Sequence, residues 1–264
     1  MRAVALDADV IVFVSDVWQT TSTAVRAGTE GFLIDSPVYP EELRALPDVL
    51  EQAEFPVSGL LATHGDWDHL LGRLAFPQAS LGCAESTAER LAAEPGAVQR
   101  KLRDFDDEHY VDGRSPLPLG SVQALPVPGH LELGPERELE LHLAEGHTAD
   151  GAAYWISWLE VLACGDYLSP VEIPMLSPGG SLGAYRETLA RLRPLVAGAN
   201  WVVPGHGSPL DSRRALKILD ADDAYLEALA EDPSGAAVPA RARTSAAQRH
   251  IHAQNVSAIG ASRK

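Results

Sequence analysis

The stretch Thr63-His64-Gly65-Asp66-Trp67-Asp68-His69-Leu70 concentrates two imidazoles and two carboxylates directly after an apolar run, Val57 to Ala62, that predicts a buried strand. A strand end followed by a loop is where an α/β protein aims several side chains at one point. Imidazole mixed with carboxylate at this density suits zinc, iron or manganese. The alternative for such a segment on its own is a polar loop whose aspartates cap the next helix.

The chain around it has 264 residues and is 45% hydrophobic, enough for a substantial core in one large domain or two small ones. Its formal net charge of −16 argues against a general nucleic-acid surface or an anionic-membrane surface, because both need a positive footprint. No apolar run reaches membrane-spanning length, and Asp7 and Asp9 interrupt the opening MRAVALDADVIVFV, unlike a secretory leader. A cytoplasmic protein without membrane or nucleic-acid partners is therefore expected. Cys83 and Cys164 are too few for a disulfide framework and read as buried small apolar residues.

Working outward, Val10 to Val14, Trp18 to Val25 and Gly31 to Ile34 predict an antiparallel meander. Pro40 to Gln52 predicts a helix, with Pro47 as a candidate break. After the histidine loop the pattern predicts a short helix over 68–75, a strand over 80–83 and a helix over 85–94 that ends at Pro95-Gly96. Arg103 to Gly120 is charged and Pro-rich and reads equally as a functional loop or lid and as a solvated connection. Strands are expected at 121–127, 139–143, 152–158, 161–163 and 201–203, with helices over 183–192 and 212–230. Two β-rich halves, each followed by helices, imply two sheets packed face to face between helices. Residues 1–231 form the expected domain. Residues 232–264 read as a linker and a basic tail, solvated or docked on that domain, carrying Arg241, Arg243, Arg249, Arg263 and Lys264.

Three later signals join the first. Glu145-Gly146-His147-Thr148 lies between two strands, Cys164-Gly165-Asp166 follows one, and Pro204-Gly205-His206-Gly207 follows another. Each puts one potential ligand immediately after a glycine, where the backbone can turn tightly and present the side chain.

In this order the motifs resemble those of the metallo-β-lactamase superfamily over roughly residues 10–210. The resemblance implies an α/β fold, a four-layer αββα sandwich, with a one- or two-metal site at the edges of its sheets. Carried over residue by residue, it implies that His64 and His147 serve one metal, that Asp68, His69 and His206 serve a second, and that Asp166 bridges both. The departure is Asp66, which stands where the family's HxHxDH loop has its second histidine. Carboxylate is still a competent ligand, so His64, Asp66 and His147 make a candidate first site; Asp66 acting behind a ligand histidine, or leaving that site empty, are the alternatives. Two divalent ions, a bridging hydroxide and the three carboxylates carry no net charge, whereas histidine at position 66 leaves one positive charge over. The extra anion is expected to weaken the Lewis acid.

The remaining candidates carry less. His130 follows Gly129 as the third-signal histidine does, but its proline-rich context makes it a loop histidine. His109 and His142 have no supporting pattern, and the alternation of His250 with His252 does not make a site. Trp67 is a packing residue or a pocket wall. Tyr167 and Ser169 are substrate-side or structural. Trp155, Trp158 and Trp201 are expected in the core from their strand positions.

The leading expectation is a dinuclear metal-dependent hydrolase using a metal-bound hydroxide on a small ester, thioester or lactone, with Asp68 orienting the water or taking its proton. Two divalent ions are implied, zinc first, with iron or manganese as alternatives. The rival readings are a non-haem iron oxygenase or redox protein on the same fold and a catalytically silent binding domain. The oligomeric state is not readable.

Overall fold

The computed structural model describes residues 1–133 and 137–262, so Arg263 and Lys264 of the basic tail lie outside the described residues. The first sheet contains β1 (Arg2–Asp7), β2 (Val10–Val14), β3 (Thr21–Ala27) and β4 (Glu30–Ile34) as an antiparallel meander. The meander is one strand longer than expected, because RAVALD pairs with β2. Its third strand starts at Thr21 rather than Trp18, since Trp18 and Gln19 turn the chain at φ 50° and 56°.

After α1 (Pro40–Gln52), the sheet continues in parallel through β5 (Gly59–Leu61), β6 (Ser80–Ala84) and β7 (Val122–Leu125). Between these strands run α2 (Gly72–Ala75), α3 (Glu85–Ala93) and α4 (Ala97–Glu108). Helix α1 runs through Pro47 unbroken, with Leu43, Leu46 and Leu50 buried on one face. The short helix expected over 68–75 is instead a 3₁₀ turn at Trp67–His69 followed by α2. Helix α4 claims the first third of the segment expected as loop or lid. Leu102 and Phe105 recur there at helical spacing and are buried, a signal that the surrounding charges mask.

The second sheet has the order β12-β11-β10-β9-β8. Its strands are β8 (Gly129–Glu132), β9 (Glu138–Leu143), β10 (Ala152–Ile156), β11 (Val161–Ala163) and β12 (Trp201–Val203), the last two parallel. His130 therefore lies in an edge strand, not a loop, with its ring 3.8 Å from Glu138. Trp158 sits in a 3₁₀ turn rather than a strand, and it, Trp155 and Trp201 are only partly buried. Helix α5 (Leu182–Gly198) runs past Pro194 and is longer than expected, α6 (Ser212–Glu231) follows, and the tail forms α7 (Ala246–Ser262).

Alternation along the strands sorts the core into three layers. Val10, Val12 and Val14 of β2 meet Ala152, Tyr154 and Ile156 of β10 between the sheets. Phe13 and Leu33 face outward against Leu46, Leu50 and Leu102. On the other side, Ala153, Leu162 and Val202 pack against Leu189, Leu192, Leu219 and Leu226. This is the αββα arrangement. At ~25 cal/mol per Å² of apolar surface, burial of this kind on both faces of each sheet is the main term that offsets chain entropy. Cys83 and Cys164 are free and buried, and among the described residues no helix is long and apolar enough to cross a membrane.

The tail packs on this body. Ile251, Val256 and Ile259 lie against the α5/α6 core. Gln248 accepts a bond from the Ile173 amide, and Arg241 donates to the carbonyls of Ser169 and Glu172 and pairs with Asp222.

Candidate metal centre

The chain delivers its ligand candidates at the ends of parallel strands from both sheets. The loop after β5 carries His64, Asp66, Asp68 and His69; Asp166 follows β11 and His206 follows β12. His147 sits in the connection between β9 and β10. The sheets are locked together here, because the Ala152 amide donates to the Thr63 carbonyl at 2.7 Å and the Tyr154 hydroxyl to the Ala62 carbonyl at 2.8 Å. Two of the glycines next to the ligand candidates have no room for a side chain. A Cβ on Gly205 would collide with Asp166 Oδ1, and one on Gly146 with the Tyr185 backbone, where φ is also +123°.

All seven candidates meet in two groups. Oδ2 of Asp166 lies 3.7 Å from His64 Nε2 and 3.2 Å from His147 Nε2, whereas Oδ1 lies 3.2 Å from His69 Nε2 and 3.3 Å from His206 Nε2. The first group also contains Asp66, whose Oδ2 is 3.7 Å from His64 and 3.6 Å from His147. The second contains Asp68, whose Oδ2 is 3.5 Å from His206 and 3.7 Å from His69. Each group thus offers two imidazole nitrogens, one terminal carboxylate and one oxygen of Asp166.

The donor chemistry fits divalent cations. Nε2 of His64, His69 and His147 and Oδ1 of Asp166 are buried with no hydrogen-bond partner, and they converge. Unsatisfied buried polar atoms cost ~1–3 kcal/mol each, so four at one point mark a site built for something other than the protein. Ligand atoms in each of the trios His64/Asp66/His147, His64/His69/Asp166 and Asp68/His69/His206 all lie within 4.8 Å of one another.

Burial works against the charged form of each group but is outweighed. His147 is raised to about 10 by Asp166 and Asp66, and His206 to about 10 by Glu172, Asp166 and Asp68. His69 is held well above the usual imidazole value by Asp35, Asp166 and Asp68. Asp66 is held well below the carboxylate range by His147 and His64, and Asp166 likewise by His206, His69, His64 and His147. Without a metal the carboxylates hold protons on these imidazoles, and a bound metal ion would have to displace them.

Several groups that orient the candidates have little or no signal in the sequence. Asp35, just after β4, lies 3.0 Å from His69 Nδ1. His147 Nδ1 donates to the Met175 carbonyl at 2.9 Å, and His206 Nδ1 is 3.3 Å from the Thr20 hydroxyl. Arg90 of α3 donates to Asp66 Oδ1 and to Asp150 Oδ1, both at 2.6 Å. A carboxylate closing an apolar strand is a weak cue for Asp35, and nearness to the histidine motif is one for Asp150. An arginine in mid-helix offers none.

Tyr167 lies behind the centre, whereas Ser169 lines the cavity above it as well as bracing the backbone. The Tyr167 hydroxyl accepts from the His147 amide and donates to the Ala144 carbonyl, while the Ser169 hydroxyl donates to the His206 carbonyl. Trp67 both packs and lines the cavity above the centre, with Trp18 and Phe105 against it at 5.7 and 4.7 Å between ring centres. His109 stacks on Phe105, His142 pairs with Glu140, and His252 bonds Tyr225, all apart from the two groups.

The sequence profile of the metallo-beta-lactamase superfamily matches residues 15–224. No curated protein matches the sequence. Among solved structures, a metallo-beta-lactamase family protein from Thermus thermophilus superposes with a TM-score of 0.68 at 21% identity, covering 97% of this chain and 95% of that one. TMB-1 gives 0.60 at 19% identity, covering 87% of this chain and 98% of that one. The sec-alkylsulfatase Pisa1 from Pseudomonas sp. gives 0.68 at 14% identity, with 88% of this chain matching 42% of that one. At these identities the structural likeness is one of fold, and the profile match over most of the length carries the assignment. The chain belongs to the metallo-beta-lactamase superfamily.

Proposed function

We propose that this protein is a metal-dependent hydrolase with a two-ion centre, zinc first, acting on a small ester, thioester or lactone. The observation that carries the reading is the division of Asp166, one oxygen toward each pair of histidines. His64, Asp66 and His147 would hold one ion, Asp68, His69 and His206 the other, with Asp166 shared. Such ions, when bound, supply Lewis acidity and make water a nucleophile at neutral pH.

The chain's own residues fit that role. Burial, with Asp150 adding to it, pushes the Cys83 thiol up to about 12, and burial pushes Cys164 higher still, so neither serves as a nucleophile. Asp68 is buried beside the histidines of the second group, and in this reading it would orient the attacking water and take its proton. The cavity over the centre is about 600 Å³ and its walls include Trp18, Trp67, Leu168, Ile173 and Met175, which suits a small, partly apolar acyl compound. A mononuclear iron reading leaves the Asp68, His69 and His206 group without a role.

Anomalous diffraction at the zinc and iron edges, with turnover of a lactone, thioester and ester panel, tests the reading. Two zinc peaks and hydrolysis are expected. A single iron peak supports redox chemistry, and no metal under replete conditions supports a silent domain; either result overturns the proposal. Asp68→Asn is expected to lower kcat by at least about a hundredfold. Full activity in that variant with unchanged metal content removes Asp68 from the mechanism.

A further inference from the structure

Asp66 is a carboxylate where the family's loop has an imidazole, and it has two oxygens where imidazole offers one nitrogen. Left alone, it could chelate through both oxygens or swing away. The structure gives its oxygens separate partners. Oδ2 faces His64 and His147 at 3.7 and 3.6 Å, while Oδ1 accepts from Arg90 Nη2 at 2.6 Å, with Lys101 Nζ 4.0 Å away.

Arg90 is itself fixed. Its Nη1 donates to Asp150 Oδ1 at 2.6 Å, and Oδ2 of that carboxylate accepts from the Gly65 amide at 2.9 Å and the Thr87 hydroxyl at 2.8 Å. Thr87 and Asp150 are buried. The packing around the network is close, since a Cβ on Gly65 would lie 3.1 Å from Asp150 Oδ2 and 3.4 Å from Arg90 Nη1. The guanidinium thus spans the metal loop, α3 and the connection that carries His147.

We infer that Arg90 is a positioning residue that makes Asp66 act like a histidine: the Asp66–Arg90 pair is formally neutral and presents a single donor atom to the first group. This rests on the reading of Asp66 as a ligand. A planar guanidinium suits the task, because it clamps one oxygen of each carboxylate in a set direction, which a lysine ammonium does not.

The test is a cycle of Asp66→His, Arg90→Gln and the double variant, with Arg90→Lys as a second probe of the guanidinium. Zinc stoichiometry and affinity come from competition with a chromophoric chelator, and the cobalt-substituted proteins give absorption spectra. Arg90→Gln is expected to weaken the first-group ion by roughly tenfold to a hundredfold and to shift its cobalt bands. Arg90→Lys should fall between it and the parent. In the Asp66→His background the same arginine change should cost no more than about twofold. An equal loss in both backgrounds shows that Arg90 only braces the fold through Asp150, and overturns the inference. Asp66→Ala separates the two claims: if it keeps two ions at parent affinity, Asp66 is no ligand and the underlying reading fails. If it loses one ion while Arg90→Gln changes nothing, only the role of Arg90 fails. Melting curves with zinc removed identify any variant whose loss is one of folding, and Arg90→Lys then carries the comparison.

Discussion

Asp35 Oδ2 and His69 Nδ1 lie 3.0 Å apart, and the same carboxylate accepts from the Thr63 amide at 2.8 Å and the Thr63 hydroxyl at 2.9 Å. Asp35 itself sits at φ 58°, a conformation that costs a non-glycine residue about 1–3 kcal/mol and that the surrounding bonds sustain. The contact sets the imidazole with Nδ1 toward Asp35 and Nε2 toward Asp166 Oδ1. Asp35→Asn is expected to weaken zinc at the second group by roughly tenfold to a hundredfold while sparing the first. Chelator competition checks this, and unchanged second-group affinity would reduce Asp35 to a brace for Thr63.

The metal-free protein should lose stability as the solution becomes alkaline. Despite burial, the carboxylates around His147 and His206 raise both to about 10, whereas histidine in an unfolded chain titrates near 6.5. The folded state therefore holds these protons more tightly. The stability from these groups is fully present below about pH 6.5 and is lost as pH rises through about 10. Asp66 and Asp166 are depressed and act in the opposite sense: their contribution is present above about pH 4 and is lost as pH falls further. Differential scanning calorimetry of the chelator-treated protein should show Tm falling between about pH 7 and 10. Saturating zinc should flatten the decline, because a ligating imidazole has already given up that proton. A metal-free profile that is flat or rising across this window would refute the pairing.

The C-terminal helix is expected to matter at the centre although it supplies no candidate ligand. Asn255, fully buried, accepts from the Leu176 amide at 2.9 Å and donates to the Pro174 carbonyl at 2.7 Å, on either side of the Met175 carbonyl that receives His147 Nδ1. Asn255→Leu leaves two inner backbone groups unpaired, a cost of about 2 kcal/mol and roughly 4–8 °C in Tm. It should also weaken first-group zinc, since Met175 orients His147. Calorimetry and zinc titration together decide the matter, and a variant with parent values in both would show that the tail merely covers the surface.

The ligand candidates were legible because their spacing is local. Four of the seven lie within one loop, and the other three each follow a glycine at a strand end. The meander and the parallel β/α run were equally open, since apolar alternation and strand length are properties of short windows. Helix α4 was hidden, because its buried apolar residues are Leu102 and Phe105 among many charges, and the third buried residue, Asp106, is itself one of those charges. Strand β1 was hidden as well, because it is largely exposed and becomes a strand by pairing with β2. The prolines around His130 are local signals that point to a loop, whereas its strand depends on pairing with Glu140 of β9.

The sequence by itself determined the class of fold and the set of candidate ligands, because both follow from residue types at short range. Only the tertiary structure decided how they divide, with one oxygen of Asp166 on each pair of histidines and one oxygen of Asp66 turned toward Arg90. Asp35, Arg90 and Asp150 approach the centre across chain separations of 24 to 85 residues. Nothing in the types or local spacing of such residues encodes the direction of a carboxylate. Sheet register and helix packing fix that direction, and they exist only once the chain has folded.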